Sequence, residues 1–493
     1  MSRIKNVMLV QPKSTGGNFE YVAIFRQGML FLSAALKQHK GPFVYDRQIW
    51  FEDRCGHLDP DKDLEGVDLL LVSALINEAP RGYELARQAK RFHPNIKTVG
   101  GGPHMGPLVE EAIGAGDFDV IVQREGEDVI GPLGDALLSL EGHHLNEALH
   151  RIPSISFMED GHLVRIPRRG TIPADYVELP DYGAVRGLTT RNPMAAGVME
   201  TVRGCTEKCT YCEVIQQFLG YRMVKRETEW KRLEQLQQLA ADGLIYRSPM
   251  DGRFAVFVSD DLHPPTLRAT KYRGERMERI KGWHGRTEGM FMMCQTRAEL
   301  GQDPEMAAML RQNHMEMLYA GVESSSAENL KAVNKRQDPS QVHKDLVALN
   351  SVGFTVVAMT IIGLPYDTEE TIMDMAQWVK TVSRYQTANL LTPLPATSNW
   401  DLEPLDAEGN LLAPGEMRPY HLYTGKQFVH KDHRWGMAES RAIYDRYYDR
   451  LRPVDKLYER LFRQIRARGD GAPVKIINGD AAPLARERVQ VRV

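Results

Sequence analysis

The 493 residues contain five cysteines, too few and too unevenly placed for a disulfide framework. Three of them crowd between Cys205 and Cys212, which points to metal or redox chemistry in a reducing compartment. No apolar run approaches the roughly 20 residues that span a bilayer, so no membrane-spanning helix is expected. The start of the chain carries basic residues but no long apolar stretch and no cleavage signal. No secretory leader is therefore expected, and the expected location is cytoplasmic. The formal charge of −3 gives no whole-chain reason to bind nucleic acid or an anionic membrane. Short repeats and low-complexity tracts are missing, and the composition is that of an ordinary globular protein. A chain this long supports two or three domains, each with its own core.

What is present is an α/β rhythm in two parts. In residues 1–150, strand patterns at 7–11, 43–46, 67–73, 98–101 and 120–123 alternate with helical patterns at 28–39, 83–92 and 107–114. That alternation predicts a doubly wound parallel, Rossmann-like sheet. Its ligands lie beyond the carboxyl ends of the strands, here the loops 12–17, 74–80 and 100–106. Residues 151–192 read as a linker with a hairpin (155–158 and 162–166), followed by Pro167, Pro173 and Pro180. In 193–400 the rhythm returns, with strands at 198–202, 254–259, 291–295, 317–321, 355–362 and 389–392. Parallel strands with crossover helices predict a partial or full (β/α) barrel. Residues 401–493 read as a polar segment, a helix over 439–468 and a loosely held tail.

Directly after the 198–202 strand stands Arg203-Gly204-Cys205-Thr206-Glu207-Lys208-Cys209-Thr210-Tyr211-Cys212. Cysteine thiolates are the usual protein ligands of iron–sulfur clusters, and three on one short loop can wrap one face of a 4Fe–4S cubane. Three ligands leave one iron open, as a catalytic metal site requires. The alternative is a structural zinc loop, with Cys294 or a histidine as fourth ligand. Zinc sites usually pair two short two-ligand motifs, and no second pair exists here.

This loop resembles the CxxxCxxC signature of the radical S-adenosylmethionine (radical SAM) superfamily, including the aromatic Tyr211 before the third cysteine. The resemblance implies that Cys205, Cys209 and Cys212 hold a 4Fe–4S cluster and that the open iron takes the amino and carboxylate groups of S-adenosylmethionine. The reduced cluster would then cleave the sulfonium and release a 5′-deoxyadenosyl radical. Later strings follow the family's order. Phe257-Val258-Ser259-Asp260-Asp261 falls where its second strand ends, which implies Asp260 and Asp261 near the methionyl amino group. Met293-Cys294-Gln295-Thr296-Arg297 and Tyr319-Ala320-Gly321-Val322-Glu323-Ser324 look like later strand ends. They implicate Gln295, Thr296, Glu323 and Ser324 around the ribose and methionyl groups. Thr360-Ile361-Ile362-Gly363-Leu364-Pro365 looks like the motif beside the adenine, implicating Gly363 and Pro365 together with Tyr211. Plainer readings stand beside these. Asp260 and Asp261 cap a helix, Glu323 is a strand-end acid, Gly363 and Pro365 turn the chain, and Cys294 packs as a small buried residue.

A sheet domain ahead of such a barrel is similar to the cobalamin-binding radical SAM enzymes, over residues 1–400. Gly100-Gly101-Gly102-Pro103-His104 and Gln123-Arg124-Glu125-Gly126-Glu127 look like that family's loop patterns. They implicate Gly101, Gly102, Pro103, His104, Glu125 and Gly126 in binding cobalamin, with Ser73, Ala74 and Asn77 in the loop under the cobalt. Glycines at strand ends let the backbone approach a large planar ligand. The chain departs from many cobalamin proteins in lacking the DxHxxG histidine after its first strand, where Pro12-Lys13-Ser14-Thr15-Gly16-Gly17 stands. His104 is in the wrong loop to replace it. Methylases of the class B group commonly lack that histidine too, so cobalamin without imidazole ligation is implied. The alternative is a cofactor-free structural layer.

The resemblance implies a cobalamin-dependent radical SAM enzyme that methylates an unactivated carbon of a small molecule. An external electron donor such as flavodoxin or ferredoxin is implied as well. Cyclisation, oxidation or ring contraction with the same cofactors is the nearer alternative, and a non-catalytic cobalamin or cluster sensor the more distant one. The segment after Trp400, with Tyr420, His421, Tyr423, His430, His433 and Trp435, reads as a surface loop in preference to a cover over the barrel mouth.

Overall fold

The apolar run Leu-Leu-Leu-Val at 69–72 is buried on both faces, the position such a run takes at the centre of a parallel sheet. Around it, β1 (Arg3–Gln11), β2 (Phe43–Phe51), β3 (Leu69–Ser73), β4 (Lys97–Gly101) and β5 (Val120–Val122) pair in parallel in the order β2-β1-β3-β4-β5. The order reverses between β1 and β3, which is where a doubly wound sheet opens its ligand crevice. The expected hairpin forms β6 (Ile155–Glu159) and β7 (His162–Ile166) and adds antiparallel to β5. The hairpin is thus part of the first sheet. The computed structural model describes residues 3–14, 24–168, 170–383 and 385–451. The helix expected over 439–468 is seen as Met437–Leu451; its remainder, the rest of the 12–17 loop and the tail lie outside the described residues.

The second sheet starts at β8 (Ala196–Met199). A two-residue antiparallel pair, β9 (Val202–Arg203) and β10 (Arg222–Met223), closes the cysteine-bearing loop. Then follow β11 (Phe254–Val258), β12 (Met290–Arg297), β13 (Met315–Glu323), β14 (Thr355–Ile362) and β15 (Tyr385–Leu390). The sheet runs β8-β11-β12-β13-β14-β15 with every pair parallel, and β8 and β15 are its edges. This is the partial form of the expected barrel. All six carboxyl ends lie along one side, so the cysteine loop and the motifs after β11, β12, β13 and β14 share it.

Local chemistry sets the crossover helices. Asp303 and Asp338 accept backbone N–H bonds at the starts of Pro304–Gln312 and Pro339–Val352, each with proline in the first turn. Gly353, at φ 95°, ends the second of them. Helix Thr270–Lys281 was not foreseen, because its buried positions are Arg276, Met277, Arg279 and Ile280 and its apolar period is masked by arginine. Strand β15 begins before the expected 389–392, since Gln386 and Thr387 break the apolar pattern.

The segment after Trp400 is not a surface loop. Tyr420, Tyr423 and Val429 are buried in the core behind the first sheet, and Phe428 is buried against the second. The segment straps the two halves together.

Candidate active site

The cysteine loop is fixed at its base. After β8, the backbone N–H groups of Thr201 and Val202 donate to Oδ1 of Asp260, at 2.6 and 2.9 Å. Gly204 has φ 83°, and a Cβ there would run into the carbonyl oxygen of Gly220, so only glycine fits the turn into the first cysteine. Cys209 is buried, while Cys205 and Cys212 are partly accessible. The loop is tied down by Thr210 N–H to Val333 O (3.2 Å) and Asn334 Nδ2 to Lys208 O (2.7 Å). Burial pushes the Cys205 thiol up and that of Cys212 to about 12, each reinforced by the neighbouring cysteines. Metal binding must therefore displace protons here. The donor set fits a cubane, in which each thiolate takes its own iron. Cys294 is fully buried in the main core, which removes it as a fourth zinc ligand. Among the described residues no three His, Cys, Asp or Glu side chains are grouped to hold one ion.

The strand ends divide into those that face the loop and those that support it. Asp260, read as a cofactor contact, is fully buried. Besides the two backbone donors it receives the Thr201 hydroxyl and lies 2.8 Å from His263 Nδ1. Burial alone would raise its pKa, but His263, Arg276 and Thr201 together hold it below the usual carboxylate range. Its oxygens are taken, so Asp260 is a positioning residue. Its neighbour Asp261 faces the loop, accepting from Gly204 N–H at 3.2 Å. Burial, against that N–H, pushes it to about 7. The Thr296 hydroxyl likewise turns inward, donating to the Arg297 carbonyl at 3.1 Å, and the residue is buried. Gln295 on the same strand is partly accessible.

Glu323 lies at the end of β13 on the same side as the cysteine loop. It ends β13 in the left-handed region, at φ 66°, where its pairing with β14 shifts register. Its carboxylate meets Lys335 Nζ at 2.6 Å, and that ammonium lies 3.5 Å from the Tyr211 hydroxyl. Burial, then Glu323, push the Tyr211 hydroxyl up. A Cβ at Gly321 would press on both Glu323 and Lys335. Ser324 instead caps the next turn, accepting from Ser326 N–H at 3.1 Å. Tyr211 packs with Val333, Leu364, Leu391 and Ile361, whereas Pro365 is exposed; the apolar contact belongs to Leu364. Gly363, at φ 91°, turns under the Phe428 ring. The turn is held by Asp367, which accepts from Gly363 and Leu364 N–H at 2.8 and 2.9 Å, and by Arg434, which donates to Leu364 O at 2.6 Å. Sequence reasoning missed Lys335, Leu364 and Arg434. Arg297 was quoted without a role; it is buried beside Glu299 and close enough for Cys209 to act on its charge.

A cavity of about 260 Å³ opens at the carboxyl ends of β3, β4 and β5. Ser73, Ala74, Gly101, Gly102, Pro103, Glu125 and Gly126 line it; Asn77 and His104 do not. His104 is fully buried behind the sheet, 3.0 Å from the Tyr83 hydroxyl and edge-on to the Tyr420 ring. Asn77 is buried in the turn Ile76–Glu78. Gly102 has φ 90°, and a Cβ there would run into Ser73, so backbone forms the rim. Deeper, Met29, Leu32, Leu71, Val99, Val122 and Ile130 make an apolar slot. Backbone rim and apolar slot fit a planar cofactor with a long tail. The far wall comes from the second half: Glu200, Arg203, Gln217 and Phe218. Arg203 pairs there with Glu125 (2.9 Å), Glu127 (2.7 Å) and Glu200 (2.9 Å), all buried or nearly so.

The second sheet, with three cysteines at the mouth of its first strand, is matched over residues 199–379 by the profile described as the Radical SAM superfamily. The chain carries a radical SAM domain. Around this domain, the chain is 25% identical over 359 residues to an uncharacterised methyltransferase of Pyrococcus horikoshii, covering 72% of each. It is 24% identical to a hopanoid C-2 methylase of Rhodopseudomonas palustris, over 83% of this chain and 71% of that one. In fold it is similar to TsrM of Kitasatospora setae, a radical S-adenosylmethionine methyltransferase solved with cobalamin and a 4Fe–4S cluster. That match has a TM-score of 0.61 at 16% identity and covers 80% of this chain and 77% of TsrM. Among the described residues no helix is long and apolar enough to cross a membrane.

Proposed function

We propose that the chain is a cobalamin-dependent radical SAM enzyme that methylates an unactivated carbon of a small molecule. One observation carries this reading: the cavity at the first sheet's strand ends is walled on its far side by residues flanking the cysteine loop. Two cofactor sites that share a wall suit two reagents acting on one carbon.

When bound, the cluster with S-adenosylmethionine supplies one-electron cleavage and hydrogen abstraction, and cobalamin supplies a methyl carrier. The chain's own residues bind, orient and exclude water. Cys205, Cys209 and Cys212 hold the cluster. Tyr211, Leu364 and Ile361 offer an apolar face to the adenine, with Gly363 turning the chain beneath it. Glu323 and Lys335 offer an acceptor and a cation to the ribose and methionyl groups, with Gln295, Asp261 and Arg297 nearby. Ser73, Ala74, Gly101, Gly102, Pro103 and Gly126 receive cobalamin without imidazole, since among the described residues no histidine lines the cavity. This domain reading runs through the β6–β7 hairpin, past the expected boundary at 150, because the hairpin is paired into the sheet. Electrons come from a small donor of flavodoxin or ferredoxin type.

The test is anaerobic turnover of loaded enzyme with methyl-labelled S-adenosylmethionine and a polar metabolite extract. Label should appear in one product, with S-adenosylhomocysteine and 5′-deoxyadenosine released together. 5′-Deoxyadenosine formed with an unlabelled product discards methyl transfer and leaves radical chemistry standing.

A further inference from the structure

The cysteine loop meets two other segments at the protein surface. Asn334 Nδ2 donates to the Lys208 carbonyl at 2.7 Å, and Arg268 Nη1 to the Arg336 carbonyl at 3.3 Å. Residues 206–208, 266–272 and 331–336 thereby build one face around Lys208, which stands between Cys205 and Cys209. Exposed in these segments are Lys208, Arg268, Lys271, Lys331 and Arg336. Their one acid, Glu207, is buried and held by Arg268 at 3.1 Å. Arg268 also takes Glu299 at 2.9 Å. The other four cations have no ion-pair partner among the described residues. The exposed acids next along the chain, Glu275, Glu328 and Asp338, fall beyond the segments. Glu275 is bound to Arg279, and Asp338 caps the next helix.

The chain as a whole has a formal charge of −3, so this face is a local reversal of sign. Unpaired cations gathered on one face repel each other, and their summed field attracts and orients an acidic partner. The apolar contacts beneath supply a second, independent observation. Cys205 packs on the small core of Val202, Leu262 and Tyr221. The Tyr221 ring lies 5.0 Å from that of Tyr272, which is partly accessible and has the Lys271 ammonium 4.8 Å from its centroid. A cluster ligand is thus joined to the basic face through two packed aromatic rings, and a short, well-packed route is what electron transfer needs.

Resting on the reading above, we infer that this face docks the electron donor and that the donor is a small protein with an acidic surface. In the docked pair the donor loses one electron and the cluster gains it; no bond forms or breaks.

The test uses anaerobically reconstituted protein of measured iron content and two small electron carriers of opposite charge, an acidic flavodoxin and a basic cytochrome c. In calorimetry at low salt flavodoxin should bind and cytochrome c should not, and the affinity should fall as salt rises. Lys271→Glu, Lys331→Glu and Arg336→Glu combined should weaken flavodoxin binding about tenfold or more. Reduced flavodoxin below saturation should then reduce the variant's cluster more slowly by a similar factor, read by paramagnetic resonance of rapidly frozen samples. Photoreduced deazariboflavin is uncharged and needs no docking face, so it should reduce both clusters equally. Lys40→Glu, Arg91→Glu and Arg151→Glu combined, at exposed positions in the first half, should leave flavodoxin binding unchanged. Flavodoxin that does not bind, binding insensitive to the first set of reversals, an equal loss in the second set, or unequal reduction by deazariboflavin overturns the proposal. None of these readouts involves cobalamin or methyl transfer, so a failure here and a failure of the methylase reading are told apart.

Discussion

Arg203 Nη1 lies 2.9 Å from Glu125 Oε1, with both side chains almost wholly buried. The two belong to different halves of the chain. Glu125 stands in the loop after β5 and Arg203 two residues before the first loop cysteine. Glu125 also takes Arg222 at 2.9 Å, from β10, the strand that closes the cysteine loop. The contact that seals the cavity wall is therefore the same one that fixes the cysteine loop against the first sheet.

Removing Arg203 leaves Glu125, Glu127 and Glu200 buried without their shared cation. Breaking a buried pair from one side costs about 3–5 kcal/mol, so Arg203→Met should lower stability by about that much in chemical denaturation. Glu125→Gln should cost less, because Arg203 keeps two carboxylates and the amide can still accept a bond. Cobalamin affinity should weaken in both. Wild-type stability in Arg203→Met would remove the coupling argued here.

Much of this was legible in the sequence. Strands alternating with helices gave both sheets, and the cysteine spacing located the loop. What stayed hidden was direction. A string such as Ser259-Asp260-Asp261 does not say which carboxylate turns toward the loop, and the side-chain alternation that decides it appears only when β11 is paired on both sides. Asp260 and Thr296, read as cofactor contacts, instead have their side-chain oxygens held by internal hydrogen bonds. Lys335 and Arg434 were invisible for another reason. Each reaches its partner across the fold or around a turn, as Arg434 does to a carbonyl 70 positions away, and no local period marks such contacts. The burial of Tyr420 and Tyr423 was missed because their surroundings in the chain are polar and the apolar partners lie behind the first sheet.

The cysteines divide by position. Cys205→Ala, Cys209→Ala and Cys212→Ala should each abolish the 4Fe–4S cluster in anaerobically reconstituted protein, measured as iron and sulfide per chain. Cys55→Ala and Cys294→Ala should leave iron content unchanged, since Cys294 is packed into the main core. A cluster surviving the triple substitution, or zinc in place of iron, ends the cluster assignment.

Asp260 and Glu323 should fail in different ways. Asp260→Ala strands the donors of Thr201, Val202 and His263 in a fully buried place, so a stability loss of about 3–5 kcal/mol is expected, with poorer iron retention. Protein that keeps its cluster should bind S-adenosylmethionine normally. Glu323→Gln and Lys335→Met should show the reverse, weaker S-adenosylmethionine binding by calorimetry with the cluster retained, while Thr296→Val should change neither. Equal losses of S-adenosylmethionine affinity in Asp260→Ala and Glu323→Gln would show that the division between facing and supporting residues is wrong.

His430 gives the strap a pH dependence with a definite sign. Its ring is buried against Phe428, and no partner satisfies Nδ1 among the described residues. Burial, aided by Arg434 and Arg418 and opposed by Asp432, lowers its pKa to about 4. In the unfolded chain the same imidazole titrates near 6.5, so between those values the unfolded state binds the extra proton. The folded state then keeps its full advantage above pH 6.5 and loses it as pH falls toward 4, by about 3 kcal/mol in all. His430→Phe has no proton to take up. Denaturant titrations at a series of pH values should therefore show wild type losing that much more stability than the variant between pH 6.5 and 4, with no further divergence below. Parallel curves across the window would mean that His430 titrates normally and is not enclosed by the strap.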